Sequence, residues 1–194
     1  KELKEEKKFF QLGVSNFSAW QVMKAQALAE KYEFPNVDIL QPMYNLVKRQ
    51  AEVEILPMAK SENIGVISYS PLGGGLLTGK YGIEDNLLNK NSSGRLHDNA
   101  KYKLRYGQNW MHEAASKLQN LAEDINYDPI ALAVAWVSYN DAITAPIISA
   151  RNLKQLKPSL DSVNINLDEA TYNLISQISP TPPPATDRLE ETSH

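Results

Sequence analysis

Val66-Ile67-Ser68-Tyr69-Ser70-Pro71-Leu72-Gly73-Gly74-Gly75 is the stretch that decides the fold. An apolar β run ends in Tyr and Ser and passes into three successive glycines. This sets small backbone and a flat ring at the C-terminal end of a strand. In parallel α/β proteins ligands bind at that end, and glycine lets the backbone approach a ligand closely. Taken alone, the glycine run fits a flexible turn between strand and helix equally well.

The pattern repeats on both sides. Upstream, residues 9–14 read as a strand, and Ser18 with Gln21 three residues on forms a capping box for a helix. Val22, Met23, Ala27 and Leu28 supply its apolar face, to about Lys31. Residues 37–41 read as a second short strand, stopped by Pro42. A helix follows over about 51–62, with Val53, Ile55 and Leu56 inward and Pro57 in its first turn or at a kink. Residues 66–69 form the third strand.

Downstream, residues 79–108 are rich in Asn, Ser, Gly and charge. A connection this long is usually a lid, a binding loop or disordered. Arg95, His97, Asp98, Lys101, Tyr102, Lys103, Arg105 and Tyr106 lie in it and read best as a solvated lid. Trp110, Ala114, Leu118, Leu121 and Ile125 then recur at helical spacing, with His112 in the first turn and expected at the surface. Asp128-Pro129 is an N-cap followed by Pro at the first helical position. Residues 142–148 are the fourth strand. Asn152, with Gln155 three residues on, caps another helix, and a last helix over 168–178 turns Leu174, Ile175 and Ile178 inward. The proline run at 180–184 is extended surface chain.

Four β-then-α units in succession predict an α/β fold of parallel strands with covering helices. Four parallel strands alone leave two unpaired edges. A complete (β/α)8 barrel needs about 250 residues, more than the 194 here.

Composition narrows the functions. The chain is 42% hydrophobic and 22% charged, with net charge -3 and pI ≈ 5.7, so it carries no nucleic-acid footprint. It has no cysteine, hence no disulfide framework and no thiolate metal site. His97, His112 and His194 show no metal-ligand spacing. No apolar run approaches the roughly 20 residues of a membrane span. The charge run at residues 1–8 reads as a solvated helix end, and a first residue other than Met suggests sequence upstream. A cytoplasmic location is expected.

Four stretches, each at an expected strand end, carry a family resemblance. Gly13-Val14-Ser15-Asn16-Phe17-Ser18 resembles the GVSNF strand end of the aldo-keto reductases, and Gln41-Pro42-Met43-Tyr44-Asn45 resembles their QxxYN strand end. The run from Tyr69 to Lys80 is similar to their YSPLGxGxLTGK. Pro146 to Leu156 is similar to the segment that follows their last strand. The resemblance covers nearly the whole chain and matches the second half, strands five to eight, of that family's TIM (β/α)8 barrel. Residues 1–179 would be this C-terminal half and residues 180–194 a Pro-rich tail.

The resemblance implies a cofactor site for NADP(H). Ser15, Asn16 and Gln41 match residues that hydrogen-bond the nicotinamide carboxamide, a group needing both donors and acceptors. Tyr69 matches the ring that stacks on nicotinamide. Ser70, Leu72 and Gly74 match the pyrophosphate turn, with Lys80 a cation near it. Ser149, Ala150, Arg151, Gln155 and Ser159 match the adenosine end, where the forked Arg151 suits a 2′-phosphate and favours NADP(H) over NAD(H).

Each residue also has a plain structural account. Ser15-Asn16 can be turn residues, Tyr69 a core aromatic, Gln41 an ordinary strand terminus, and Arg151 a surface residue paired with Asp161 or with nothing. Four successive strand ends on one face favour the cofactor account.

The family's catalytic Tyr, Lys, Asp and His belong to its first four units. No residue of this sequence is assigned to them, so the chain alone is expected to be inactive. A carbonyl substrate is implied only for a completed barrel, whose other half would be a missing N-terminal segment or a self-association partner. The alternatives are a non-catalytic nucleotide-binding subunit resembling the channel β subunits, a half-barrel that dimerises, and an α/β interaction module without cofactor.

Overall fold

All four expected β-then-α units form; the first, second and fourth strands are shorter than the runs that announce them, and the third spans its expected residues with Gly65 added. A computed structural model describes residues 1–81 and 94–186, with only the backbone of Arg95 and His97. Part of the expected polar connection, residues 82–93, and the end of the tail, residues 187–194, lie outside the described residues. In chain order the elements are α1 (Glu2–Glu5), β1 (Gly13–Ser15), α2 (Ala19–Tyr32), β2 (Ile39–Gln41), α3 (Ile55–Ser61) and β3 (Gly65–Tyr69). Then come α4 (Arg95–Asp98), α5 (Ala100–Tyr106), α6 (Asn109–Asp124), α7 (Pro129–Tyr139), β4 (Ala145–Ile147), α8 (Leu153–Asp161) and α9 (Glu169–Ser176). Short 3-10 turns occupy Gln50–Glu52, Gly73–Thr78 and Ser162–Asn164.

The sheet order is β1-β2-β3-β4, every neighbouring pair parallel. Parallel neighbours in chain order require a crossover after each strand, and helices supply it. The caps form as the sequence predicts. Ser18 N–H donates to Gln21 Oε1 at 2.9 Å. Asp128 Oδ1 accepts from the N–H groups of Ile130 and Ala131 at 2.8 and 3.2 Å.

Several local expectations need correcting. Residues 9–12 are not strand, and Phe10 is exposed. The reason is pairing: β2 begins opposite Gly13, and Asp38 captures the Leu12 N–H with its carboxylate at 2.8 Å. On α2, Val22 and Ala29 are buried, whereas Met23, Ala27 and Leu28 are exposed. Gln26 turns inward instead because its amide both accepts from and donates to the Val37 backbone, at 2.9 and 3.1 Å. On α9, Ile175 is fully buried but Leu174 is exposed. The charged stretch after Gly94 is two short helices, α4 and α5, with Tyr106 fully buried.

The sheet is covered on one face. Register puts Val14, Leu40 and Val66 in one row; Leu40 and Val66 are buried in the core, with Val14 packed against it. α7 lies in that core with Ala131 to Val137 all buried, as befits a helix apolar all round. The opposite face carries Gly13, Ile39, Gly65, Ile67 and Ala145, none of them buried. Parallel sheets normally have both faces covered. Among the described residues β1 pairs only with β2 and β4 only with β3.

A polar clamp ties the loop after β2 to the C-terminal helices. The Arg49 guanidinium grips Glu52 through Nε and Nη2 at 2.9 and 2.8 Å and donates from Nη1 to the Ser176 carbonyl at 2.8 Å. Tyr44, fully buried, donates to Glu52 Oε1 at 2.8 Å and its ring lies 5.2 Å from that of Trp136. Burial opposes the Arg49 charge, but the Glu52 carboxylate more than offsets it, so Arg49 is held even more firmly protonated than usual.

Burial likewise pushes the phenols of Tyr44, Tyr106 and Tyr172 above their ordinary value of 10.0. An unfolded chain ionises these groups near that value, while the fold keeps them neutral. Their contribution is therefore whole below about pH 10 and is lost as pH rises above it. Denaturant midpoints should fall between about pH 9 and about pH 11, and Tyr44→Phe should flatten that fall. An identical fall in the variant would show that this phenol contributes nothing to it.

Candidate functional site

The C-terminal strand ends carry a continuous polar chain. Ser15 Oγ donates to the Gln41 carbonyl at 2.9 Å, Asn16 Nδ2 donates to Ser15 Oγ at 3.1 Å, and the Tyr69 hydroxyl donates to Asn16 Oδ1 at 2.7 Å. Three successive strand ends are thus joined. Asn16 holds φ +59°, a left-handed conformation that Asn tolerates better than most residues. Ser15, Gln41 and Tyr69 all point to the uncovered face of the sheet. The four residues expected at the nicotinamide end are therefore brought together.

After Tyr69 the backbone turns through left-handed conformations at Ser70, Gly73, Gly74 and Gly75, with φ +59°, +57°, +67° and +98°. The turn is tied by Gly73 N–H to the Ser70 carbonyl and Gly75 N–H to the Leu72 carbonyl, each at 2.9 Å. Thr78 Oγ1 donates to the Gly75 carbonyl at 2.7 Å. A Cβ on Gly74 would lie 2.6 Å from Tyr102 Cδ1. Glycine there satisfies both the φ and the close approach of α5.

Sequence reasoning missed what supports this turn from behind. Asn45 is fully buried, donates from Nδ2 to the Ser70 carbonyl at 2.9 Å and to the Tyr106 hydroxyl at 3.3 Å, and accepts from Val47 N–H at 3.1 Å. The signal was available: an amide flanked by Tyr44, Leu46 and Val47 must bury a polar group, which demands partners. Tyr106, expected in a solvated lid, is one of those partners. Expected at the surface, His112 is half-buried beside Tyr81 and Gln119.

Between the turn and α8 lies a cavity of about 810 Å³. Ser70, Leu72, Gly74 and Lys80 line one side; Ser149, Ala150, Arg151 and Gln155 line the other. Asn152 caps α8 by accepting from Gln155 N–H at 3.0 Å, and Gln155 Oε1 accepts from Arg151 N–H at 3.2 Å. Ser159 is not brought in: it is buried within α8 and its carbonyl accepts from Ser162 Oγ. Asp161 does not pair with Arg151; it pairs with Lys157. Lys154, absent from the sequence expectations, also lines the cavity.

The family model described as the Aldo/keto reductase family matches residues 1–180. The chain belongs to the aldo-keto reductase family. Relatives include the uncharacterized oxidoreductase YrpG of Bacillus subtilis, 35% identical over 175 residues, which covers 88% of this chain and 49% of that protein. Aflatoxin B1 aldehyde reductase member 2 of Rattus norvegicus is 31% identical over 82% of this chain and 46% of its own length. A probable voltage-gated potassium channel subunit beta of Arabidopsis thaliana is 26% identical over 80% of this chain and 47% of its own. The chain thus spans about half the length of the relatives it matches. Among the described residues of this aldo-keto reductase chain, no helix is long and apolar enough to cross a membrane.

The residues present fit a dinucleotide phosphate. Among the described residues the charged side chains lining the cavity are Lys80, Arg151 and Lys154, all cationic. A glycine turn borders it, and the ring and amides of the strand ends adjoin that turn. Bare backbone beside cations in a concave site suits phosphate, and a planar ring with hydroxyl and amide groups beside it suits an aromatic carboxamide.

Proposed function

We propose that this chain is the cofactor-binding half of an NADP(H)-dependent aldo-keto reductase, residues 1–179 supplying strands five to eight of a (β/α)8 barrel and residues 180–194 a Pro-rich tail. The observation that carries the proposal is the one-sided sheet. Its uncovered face is the face to which Ser15, Gln41 and Tyr69 point, and parallel sheets bury both faces. A further four β-then-α units would cover it and pair the free sides of β1 and β4.

NADPH supplies a hydride when bound. This chain's part is to hold and orient it. Ser15, Asn16 and Gln41 offer donors and acceptors to the carboxamide, and Tyr69 offers a ring face that fixes which side of the nicotinamide meets substrate. Ser70, Leu72 and Gly74 would hold the diphosphate with Lys80 beside them, and Arg151 would offer its charge to the 2′-phosphate. A carbonyl compound would be reduced only in the completed barrel, where a general acid protonates its oxygen as hydride arrives.

The chain should bind NADPH, with intrinsic fluorescence quenched through Tyr69, and should show no carbonyl reduction by itself. No change in fluorescence or heat on titration would sink the cofactor assignment and leave an α/β interaction module. Turnover by the chain alone, abolished by a substitution at Tyr102 or Lys103, would show that a local acid exists. A second reading follows from the similarity to the Arabidopsis channel subunit: a nucleotide-binding regulatory half that never reduces a substrate. Complementation with a four-unit N-terminal half separates the two, because only the reductase gains turnover. Sedimentation separates that half from self-association as the means of covering the open face.

A further inference from the structure

Ser70 stands in a conformation that its own sequence opposes. Its φ is +59°, left-handed, which is costly for a residue with a Cβ. Pro71 follows it, and a residue before proline is pushed towards extended backbone. Serine and proline together therefore favour a chain that runs straight on from β3. The turn into Gly73-Gly74-Gly75 requires the opposite, and Ser70 lines the cavity at that turn. Strain of this kind persists only where the surroundings over-determine it.

Those surroundings are the segment after β2, which still runs beside β3. Tyr69 N–H donates to the Pro42 carbonyl at 2.9 Å, and Tyr44 N–H to the Tyr69 carbonyl at 3.4 Å. One residue on, a side chain takes over from the backbone. The Ser70 carbonyl accepts from Asn45 Nδ2 at 2.9 Å and from Gly73 N–H at 2.9 Å. Two donors on one carbonyl fix the plane of the peptide that enters the turn. Asn45 is itself held in place. Its Oδ1 accepts from Val47 N–H at 3.1 Å. Its backbone N–H and carbonyl both pair with Lys48, at 3.3 and 2.9 Å. Its Nδ2 also donates to the Tyr106 hydroxyl at 3.3 Å, and that hydroxyl donates to Met43 Sδ at 3.3 Å. Asn45 and Tyr106 are both fully buried. Burial keeps the Tyr106 phenol neutral, although Asn45 and the Ser70 side chain oppose that shift.

We infer that Asn45 is a positioning residue for the dinucleotide. Its amide, oriented by the Tyr106 hydroxyl, holds Ser70 left-handed and so aims the glycine turn at the diphosphate. Neither Asn45 nor Tyr106 lines the cavity; both act through residue 70. The inference rests on the cofactor reading above.

The test is NADPH titration of the 194-residue chain in two backgrounds. Asn45→Leu should weaken NADPH about tenfold when residue 70 is serine. In a chain carrying Ser70→Gly the same substitution should weaken it by no more than about twofold, because glycine takes the left-handed turn unaided. Each comparison stays within its own background, so loss of the Ser70 hydroxyl cancels. Denaturant midpoints should fall in both backgrounds, since a buried amide is lost from each; a merely structural role would move affinity equally in both as well. Tyr106→Phe spares the Ser70 bond and carries the test if Asn45→Leu does not fold. It should weaken NADPH about threefold with serine at residue 70 and leave it unchanged with Ser70→Gly. Equal weakening in the two backgrounds overturns the inference while leaving the cofactor reading intact. So does undiminished affinity in both variants. Failure of the unsubstituted chain to bind NADPH removes the cofactor reading and this inference together.

Discussion

Gly74→Ala should abolish measurable NADPH binding and destabilise the chain by about 2–5 kcal/mol. Two costs combine. At φ +67° an L side chain strains against its own carbonyl, by about 1–2 kcal/mol. The added Cβ would also lie 2.6 and 2.9 Å from Tyr102 Cδ1 and Cε1 and 3.4 Å from Tyr106 Cε2. Tyr106 cannot yield, since it is fully buried with its hydroxyl against Asn45 and the Met43 sulfur. Overpacking of this kind costs about 1–3 kcal/mol more. Relief comes by shifting the turn, and the Ser70 carbonyl held by Asn45 then moves away from the cavity. Tyr102→Ala in the same chain removes the clash but not the φ strain, so the double variant should recover stability in part. Denaturant midpoints and NADPH titration read both effects. A single variant with wild-type stability and affinity would show that the turn is not a rigid cradle.

Arg49→Met should be the most destabilising substitution away from the site, at about 3–5 kcal/mol. The Arg49 and Glu52 side chains retain only 9% and 20% of their exposure. Removing the guanidinium strands a carboxylate that still accepts from Tyr44, and releases the Ser176 carbonyl at the end of α9. Arg49→Met with Glu52→Leu should recover much of the loss, because hydrophobic replacement of a whole buried pair is often neutral. It will not recover all of it, because the Tyr44 hydroxyl loses its carboxylate acceptor and keeps weaker contacts such as the Asn140 amide, at 3.4 Å. Equal midpoints for the single and double variants would show that the stranded carboxylate is not the source of the cost.

The local elements were legible in the sequence because their causes are local. Ser18 with Gln21, Asp128 before Pro129, and Asn152 with Gln155 each close a cap within a few residues. Strand positions followed from apolar runs bounded by Gly and Pro. The strand-end residues were legible as a group because parallel β-then-α repetition sends every strand's C-terminal end to the same side, so Ser15, Gln41 and Tyr69 had to converge. Strand length was not legible. Residues 9–12 are apolar enough for strand, yet only a paired neighbour makes a strand, and β2 starts too late to reach them.

By itself, then, the sequence determined the repeating parallel units, the helix caps, the glycine turn and the side on which they meet. Those depend on periodicity and on steric rules within a few residues. Only the tertiary structure decided that Asn45 and Tyr106 support the turn, 61 residues apart, and that Gln26 rather than Leu28 faces inward. It also decided that Lys154 joins Arg151 while Ser159 is buried. Each of these turns on which distant groups can satisfy a buried polar atom, and that is settled by packing rather than by pattern.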